Sequence, residues 1–135
     1  MGLLTWIDES SIGVGALDEE HRALYGSINA LNAAMVGNQG RSQIEPLLRK
    51  VADRTCAHFS SEEAMMTRTN YPGLALHRIK HQYLLEQLVA FVSRFERGGA
   101  MLNQHSLNFL RDWCNTHIEK EDKQFGQWLN EHGKK

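Results

Sequence analysis

This chain has few cysteines, few prolines and no long apolar run, and each shortage excludes a class of protein. Its 135 residues include two cysteines and two prolines. Two cysteines, Cys56 and Cys114, cannot build a disulfide framework, so we expect two thiols in a reducing compartment. Charged residues interrupt the apolar segments every few positions, which argues against a membrane span, and the N-terminus lacks the features of a signal peptide. We therefore expect a soluble, cytoplasmic protein without membrane insertion.

The chain also lacks an excess of charge of either sign. It carries 15 basic and 16 acidic side chains, for a formal net charge of -1. Because no basic stripe is available to hold phosphates, nucleic acid is not an expected partner. The length suits one domain with a hydrophobic core, and we take residues 1–135 as that single domain.

Apolar residues at helical spacing are what the chain has in abundance. Four stripes, with steps that alternate between three and four residues, predict four amphipathic helices within residues 18–132, which include a short C-terminal tail. Residues 1–17 show no such period and predict an extended N-terminal arm. Short links between the helices predict an all-α fold, an antiparallel up-down-up-down four-helix bundle.

Polar residues occur inside these stripes, in one short motif per predicted helix. Five of the seven histidines and two carboxylates are involved. An unpaired polar group in a core costs several kcal/mol, so these residues need a common explanation. At 1.5 Å per residue, the alternating helix directions bring all seven groups within roughly 5–14 Å of the same end of the bundle. The seven are His21, His58, Glu62, His77, His81, His117 and Asp122.

A two-metal site uses this donor set fully. Seven ligands are too many for one zinc ion, and five imidazoles argue against calcium and magnesium. Mixed imidazole and carboxylate donors suit iron or manganese, with two carboxylates as bridges. Few anionic and many neutral ligands favour lower oxidation states, and such a site is suited to reversible binding of O2.

Spacing alone does not identify which carboxylate after His117 is the ligand. Asp122 follows His117 by five residues, about 500° of α-helical rotation, which places it some 140° away from that histidine. Glu121, at i+4, is therefore the geometric rival.

The chain resembles the hemerythrin family, and in particular single-domain bacterial hemerythrins, from the arm around Trp6 to Asp122. The resemblance is carried by four motifs: Asp18-Glu19-Glu20-His21, His58-Phe59-x-x-Glu62-Glu63, His77-x-x-x-His81 and Trp113-x-x-x-His117-Ile118-x-x-x-Asp122. It implies two non-haem Fe ions per chain, a bridging oxo or hydroxo group, and O2 as ligand.

The resemblance also implies a role for each ligand. The closed iron would be held by His77, His81 and His117, and the O2-binding iron by His21 and His58. Glu62 and Asp122 would bridge the two irons. Choosing Asp122 over Glu121 on this ground requires a local distortion or helix end, and we expect one there.

Five side chains beside the ligands are expected to form the O2 pocket: Leu24, Phe59, Trp113, Cys114 and Ile118. The family often carries leucine where this chain has Cys114. A smaller thiol should enlarge the pocket or its entrance, so we expect faster O2 exchange and faster autoxidation than in a Cys114→Leu variant.

These observations predict reversible O2 binding for storage, delivery or sensing, and no enzymatic activity. The alternatives are a di-iron oxidase or peroxidase, and iron storage or detoxification. An oxidase would need a buried acid near His21 or His58, and Glu63 is the only candidate. Iron storage usually needs a path for iron lined by acids and an assembly of chains into a cage, and neither is evident. The length leaves no room for a fused signalling domain, so we expect a stand-alone carrier with an unidentified protein recipient.

Overall fold

The computed structural model describes residues 4, 6–7, 10–37, 40–98 and 104–133, without the side chains of Gln104 and Glu119. Its helices are α1 (Gly15–Val36), α2 (Arg41–Thr69), α3 (Leu74–Glu96), α4 (Gln104–Thr116) and α5 (Lys123–Glu131). A π-helical turn, His117–Asp122, joins α4 to α5, so that the two continue as one rod. The described residues form no strand. The predicted all-α four-helix bundle is confirmed.

The N-terminal arm is tied along α1 by polar contacts. The Asp18 carboxylate accepts hydrogen bonds from the Ser11 hydroxyl at 2.5 Å and from the Ile12 backbone N–H at 2.9 Å. Further along α1, the Asn29 amide bonds the N–H and the carbonyl of Leu4, each at 2.7 Å. Helix α1 starts at Gly15, so Asp18 lies inside its first turn and bonds the arm from there. Of the predicted arm, residues 1–3, 5, 8 and 9 lie outside the described residues.

Two apolar clusters fill the interior. We call them the large cluster, which includes Leu31, Leu48 and Leu107, and the small cluster. The small cluster consists of Ile12, Val14, Leu17, Met66, Phe125 and Leu129.

The predicted ligands lie between these two clusters on every helix. On α1, Leu17 of the small cluster precedes His21, and Leu24 of the large cluster follows it. On α2 the order is reversed, because Val51 of the large cluster precedes His58 and Met66 of the small cluster follows Glu62. The bundle thus holds one buried polar layer between two apolar ones.

Gly126 allows the arm to cross α5 at close range. A Cβ atom at this position would lie 1.9 Å from the carbonyl oxygen of Ile12, a distance that no side chain could tolerate. The arm therefore packs directly against backbone at the small-cluster end of the polar layer.

None of the helices formed by the described residues combines the length and the apolar character that crossing a membrane requires.

Candidate metal centre

The structure brings all seven predicted ligands into one buried layer. His21, Glu62 and Asp122 have no exposed surface, and the other four histidines are at most 5% exposed. Their donor atoms form two groups, each with all its atoms within 4.8 Å of one another. Glu62 and Asp122 belong to both groups.

The first group contains three histidines. The Nε2 atoms of His81 and His117 lie 2.9 Å apart. The Nε2 atom of His77 lies 2.5 Å from Glu62 Oε1 and 2.9 Å from Asp122 Oδ1. We call these residues the three-histidine group.

The second group contains two histidines, His21 and His58, whose Nε2 atoms also lie 2.9 Å apart. Asp122 Oδ2 is 3.0 Å from His21 Nε2 and 3.3 Å from His58 Nε2. Glu62 Oε2 is 3.3 Å from His58 Nε2. Each carboxylate therefore directs one oxygen to this two-histidine group and the other to the three-histidine group, as a ligand that bridges two cations would.

The π-helical turn explains why Asp122 belongs to the layer. In a π-helix the backbone hydrogen bond joins residues five apart, so side chains five positions apart share a face. His117 and Asp122 are the first and last residues of this turn. Glu121, the rival from α-helical spacing, instead accepts a hydrogen bond from His117 Nδ1 at 2.9 Å and points away from the layer. The expected distortion is present.

Hydrogen bonds at the outer nitrogens show that a cation fits this layer. His81 Nδ1 is 2.8 Å from Glu63, and His117 Nδ1 is similarly paired with Glu121. If both imidazoles donate at Nδ1, both inner Nε2 atoms carry lone pairs that face each other at 2.9 Å. Only a proton or a metal ion between them removes the repulsion. The buried oxygens of Glu62 lie close to histidine nitrogens, yet neither is aligned for a hydrogen bond.

The charges of the layer shift the pKa values of its members. Burial alone would lower the pKa of His77, but the Asp122 and Glu62 carboxylates raise it to about 9. Burial and the adjacent Asp122 charge would raise the pKa of Glu62, but the close approach of the His58, His77 and His81 imidazoles lowers it to about 2. The carboxylates are therefore ionised at neutral pH and available as ligands.

Aromatic rings from the large cluster cover the layer. Phe59 stacks on His81 with ring centroids 3.8 Å apart and nearly parallel planes. Trp113 meets Phe59 edge-on at 5.8 Å and stacks over His117 at 6.1 Å. All five side chains predicted for the O2 pocket are buried members of the large cluster: Leu24, Phe59, Trp113, Cys114 and Ile118.

Sequence reasoning missed a set of acids that surround the layer. Glu20, Glu63 and Glu121 each accept a hydrogen bond from the outer nitrogen of a predicted ligand. A signal existed, because Glu20 and Glu63 each stand beside a ligand in the sequence and Glu121 lies at i+4 from one. The histidines outside the motifs, His105 and His132, are exposed.

Comparison with known proteins gives a consistent result. The family model described as hemerythrin HHE cation binding domain matches residues 12–129. A bacteriohemerythrin of Methylococcus capsulatus is 35% identical over 132 residues, which cover 96% of this chain and 99% of that protein. A bacteriohemerythrin of Stenotrophomonas maltophilia is 28% identical, with coverage of 98% and 85%.

Solved structures agree with the sequence relatives. The crystal structure of wild-type hemerythrin is similar to this chain with a TM-score of 0.86 and 34% sequence identity. That likeness covers 93% of this chain and 96% of the other.

Proposed function

The chain belongs to the hemerythrin family, and from this premise we propose that it binds dioxygen reversibly at a non-haem di-iron centre, for storage, delivery or sensing. The observation that carries the proposal is the division of each carboxylate between two groups of histidines. Glu62 and Asp122 each place one oxygen against the three-histidine group and one against the two-histidine group. This is the donor arrangement that a pair of bridged metal ions requires.

Each residue then has a role. His77, His81 and His117 would hold one iron and His21 and His58 the other, with Glu62 and Asp122 available to both. When bound, the iron pair supplies two electrons that can be shared reversibly with O2. The two-histidine group provides one donor fewer than its neighbour, so we assign the O2-binding side to His21 and His58.

The surroundings of the layer favour binding over turnover. Phe59, Trp113 and Ile118 exclude water from the ligands, which slows irreversible oxidation of a buried metal. Leu24, three residues after His21 on α1, is fully buried and belongs to the same apolar cluster. We assign these four side chains, with Cys114, to the O2 pocket.

An oxidase or peroxidase would need a proton donor beside the ligands. Burial would raise the pKa of Glu20, but hydrogen bonds from His58 and Ser61 lower it. A hydrogen bond from His117 lowers the pKa of Glu121. Glu63 lies between His81 and Arg78, in contact with both. Among the described residues, the acids that touch the predicted ligands are therefore already engaged with histidines, Ser61 or Arg78, which supports a binding protein.

An optical titration tests the proposal. The anaerobically reduced, iron-loaded protein is exposed to air and then to argon, and its near-ultraviolet and visible spectrum is followed. We expect two irons per chain and a charge-transfer band that appears with O2 and disappears under argon. The zinc-loaded protein is the control and should show no band. A band that never reverses, with consumption of added reductant, would move the assignment to an oxidase.

A further inference from the structure

Three acids outside the ligand layer hold three of the five histidines by their outer nitrogens. His58 Nδ1 is 2.8 Å from Glu20 Oε1, and His81 Nδ1 is 2.8 Å from Glu63 Oε2. The third pair, His117 with Glu121, has a separation of 2.9 Å. A carboxylate accepts at Nδ1 only if that nitrogen carries the proton, so each acid leaves Nε2 free to bind a metal.

The second oxygen of each acid is also held in place. Ser61 donates to Glu20 Oε2 at 2.8 Å. Arg78, on α3, donates to Glu63 Oε1 at 3.0 Å. Lys80, also on α3, lies 3.4 Å from Glu121 Oε1. The acids are thus fixed from both sides, which restricts the rotation of the imidazoles they bind.

The two groups differ in how their histidines are held at the outer nitrogens. In the three-histidine group, His81 and His117 have an acid at the outer nitrogen, and His77 has none among the described residues. In the two-histidine group only His58 has one. The Nδ1 atom of His21 is buried and has no hydrogen-bond partner among the described residues. When His21 uses Nε2 as a ligand, its proton must sit at this buried nitrogen without an acceptor, which disfavours the ligating form.

We infer that Glu20, Glu63 and Glu121 are positioning residues, and that their uneven distribution makes the two metal positions fill in order, the three-histidine position first. The inference rests on the proposed metal centre, but it concerns metal affinity and not O2. It names no property of the iron itself, so a metal without redox chemistry under the assay conditions can test it.

The test is a titration of the whole metal-free chain with Co2+ under argon. Binding of Co2+ is monitored through the visible absorption bands of the bound ion. We expect two Co2+ ions per chain in two steps. Since loss of a residue that orients a metal ligand weakens binding roughly 10–100-fold, Glu63→Gln and Glu121→Gln should weaken the first step, and the two steps should approach each other. Glu20→Gln should weaken the second step by a similar factor, and the steps should move apart.

Repulsion between two cations would also separate the steps, so the deciding result is which step each variant moves. Glu86→Gln, an exposed change on α3, is the matched control and should move neither. Melting curves of the metal-free variants should coincide with that of the parent protein, which separates positioning from folding.

Two results would overturn the inference: all three variants weakening the same step, or a parent protein that binds fewer than two Co2+ ions. If Co2+ behaves as expected and the iron-loaded protein fails to bind O2, the inference stands and the proposed function fails.

Discussion

The ligand layer and the large apolar cluster beside it are equally hidden from water, yet opposite forces hold them. Leu31 and Leu48, in the large cluster, have no exposed surface and gain stability simply by leaving water. His21 and Asp122 are equally buried, but burial of ionisable groups is unfavourable unless a partner compensates. Burial of the large cluster therefore stabilises the fold without any partner, whereas burial of the layer depends on its charges and on the metals that we propose it holds.

The largest effect should come from removing Asp122, one of the two carboxylates that contact both groups of histidines. We expect Asp122→Ala to bind less than one iron per chain, because Asp122 contacts histidines of both groups. Elemental analysis after reconstitution measures this. Asp112→Ala, which removes an exposed acid from α4, should keep two irons. Two irons in the Asp122 variant would show that the layer does not depend on this bridge.

A deletion in the large cluster should act on stability alone. We expect Leu31→Ala to lower the free energy of unfolding by about 2–5 kcal/mol, the range for a fully buried leucine. The loss should be the same with and without metal, and the metal content should stay at two. Denaturant unfolding provides the values. Leu76→Ala, at a leucine that is 60% exposed, should change stability by less than about 0.5 kcal/mol. A metal-dependent loss at Leu31 would mean that the two regions are coupled.

The layer should also respond to pH in the metal-free protein. The pKa of His77 is about 9 in the folded chain against 6.5 for an ordinary histidine. A raised pKa stabilises the fold fully below pH 6.5, and this stabilisation is lost as the pH rises through 9. One pKa unit corresponds to about 1.4 kcal/mol, so the shift is worth on the order of 3 kcal/mol, and we expect the melting temperature of the metal-free protein to fall by roughly 10–20 °C over this window. The metal-loaded protein should not show this fall, because its ligating histidines carry no proton at Nε2. Parallel curves for the two forms would contradict the assignment of His77 to a metal.

The smallest effect should come from a substitution at Cys114, where the large cluster borders the ligand layer. Cys114 is fully buried in the large cluster, three residues before His117. We expect Cys114→Leu to narrow the O2 pocket and slow autoxidation in air several-fold, measured by the decay of the O2-dependent absorption band. Cys56→Ser, at the exposed cysteine, controls for thiol chemistry and should leave the rate unchanged. Equal rates for the parent and the Cys114 variant would remove the hypothesis.

Much of the fold and most of the buried polar layer could be predicted from the sequence, because both depend on helical periodicity. The stripe through His77 and His81 marks the buried face of α3, and the alternating helix directions place His21 and His58 at the same depth. Periodicity assumes one regular helix type, so it could not choose between Glu121 and Asp122 without the family resemblance.

The roles of the acids around the layer could not be predicted from helical periodicity. Glu20 and Glu63 occupy half-buried positions, where a charged side chain normally needs no explanation. Their roles depend on which atom of a neighbouring helix they meet, and a pattern along one helix carries no such information. The start of α1 at Gly15 was missed for a similar reason, since Asp18 bonds the arm and does not cap the helix.

The π-helical turn sets the register of the fourth rod of the bundle, formed by α4, the turn and α5. A regular α-helix would turn Glu121 toward the ligands, in step with Cys114 and His117. The π-helical turn advances the rod by one residue, and Asp122, Gly126 and Leu129 face inward. Gly126, four residues after Asp122, lies under the arm where a Cβ atom would meet the carbonyl oxygen of Ile12. The extra residue of one turn therefore serves two ends at once: it brings Asp122 to the polar layer and Gly126 to the crossing of the arm.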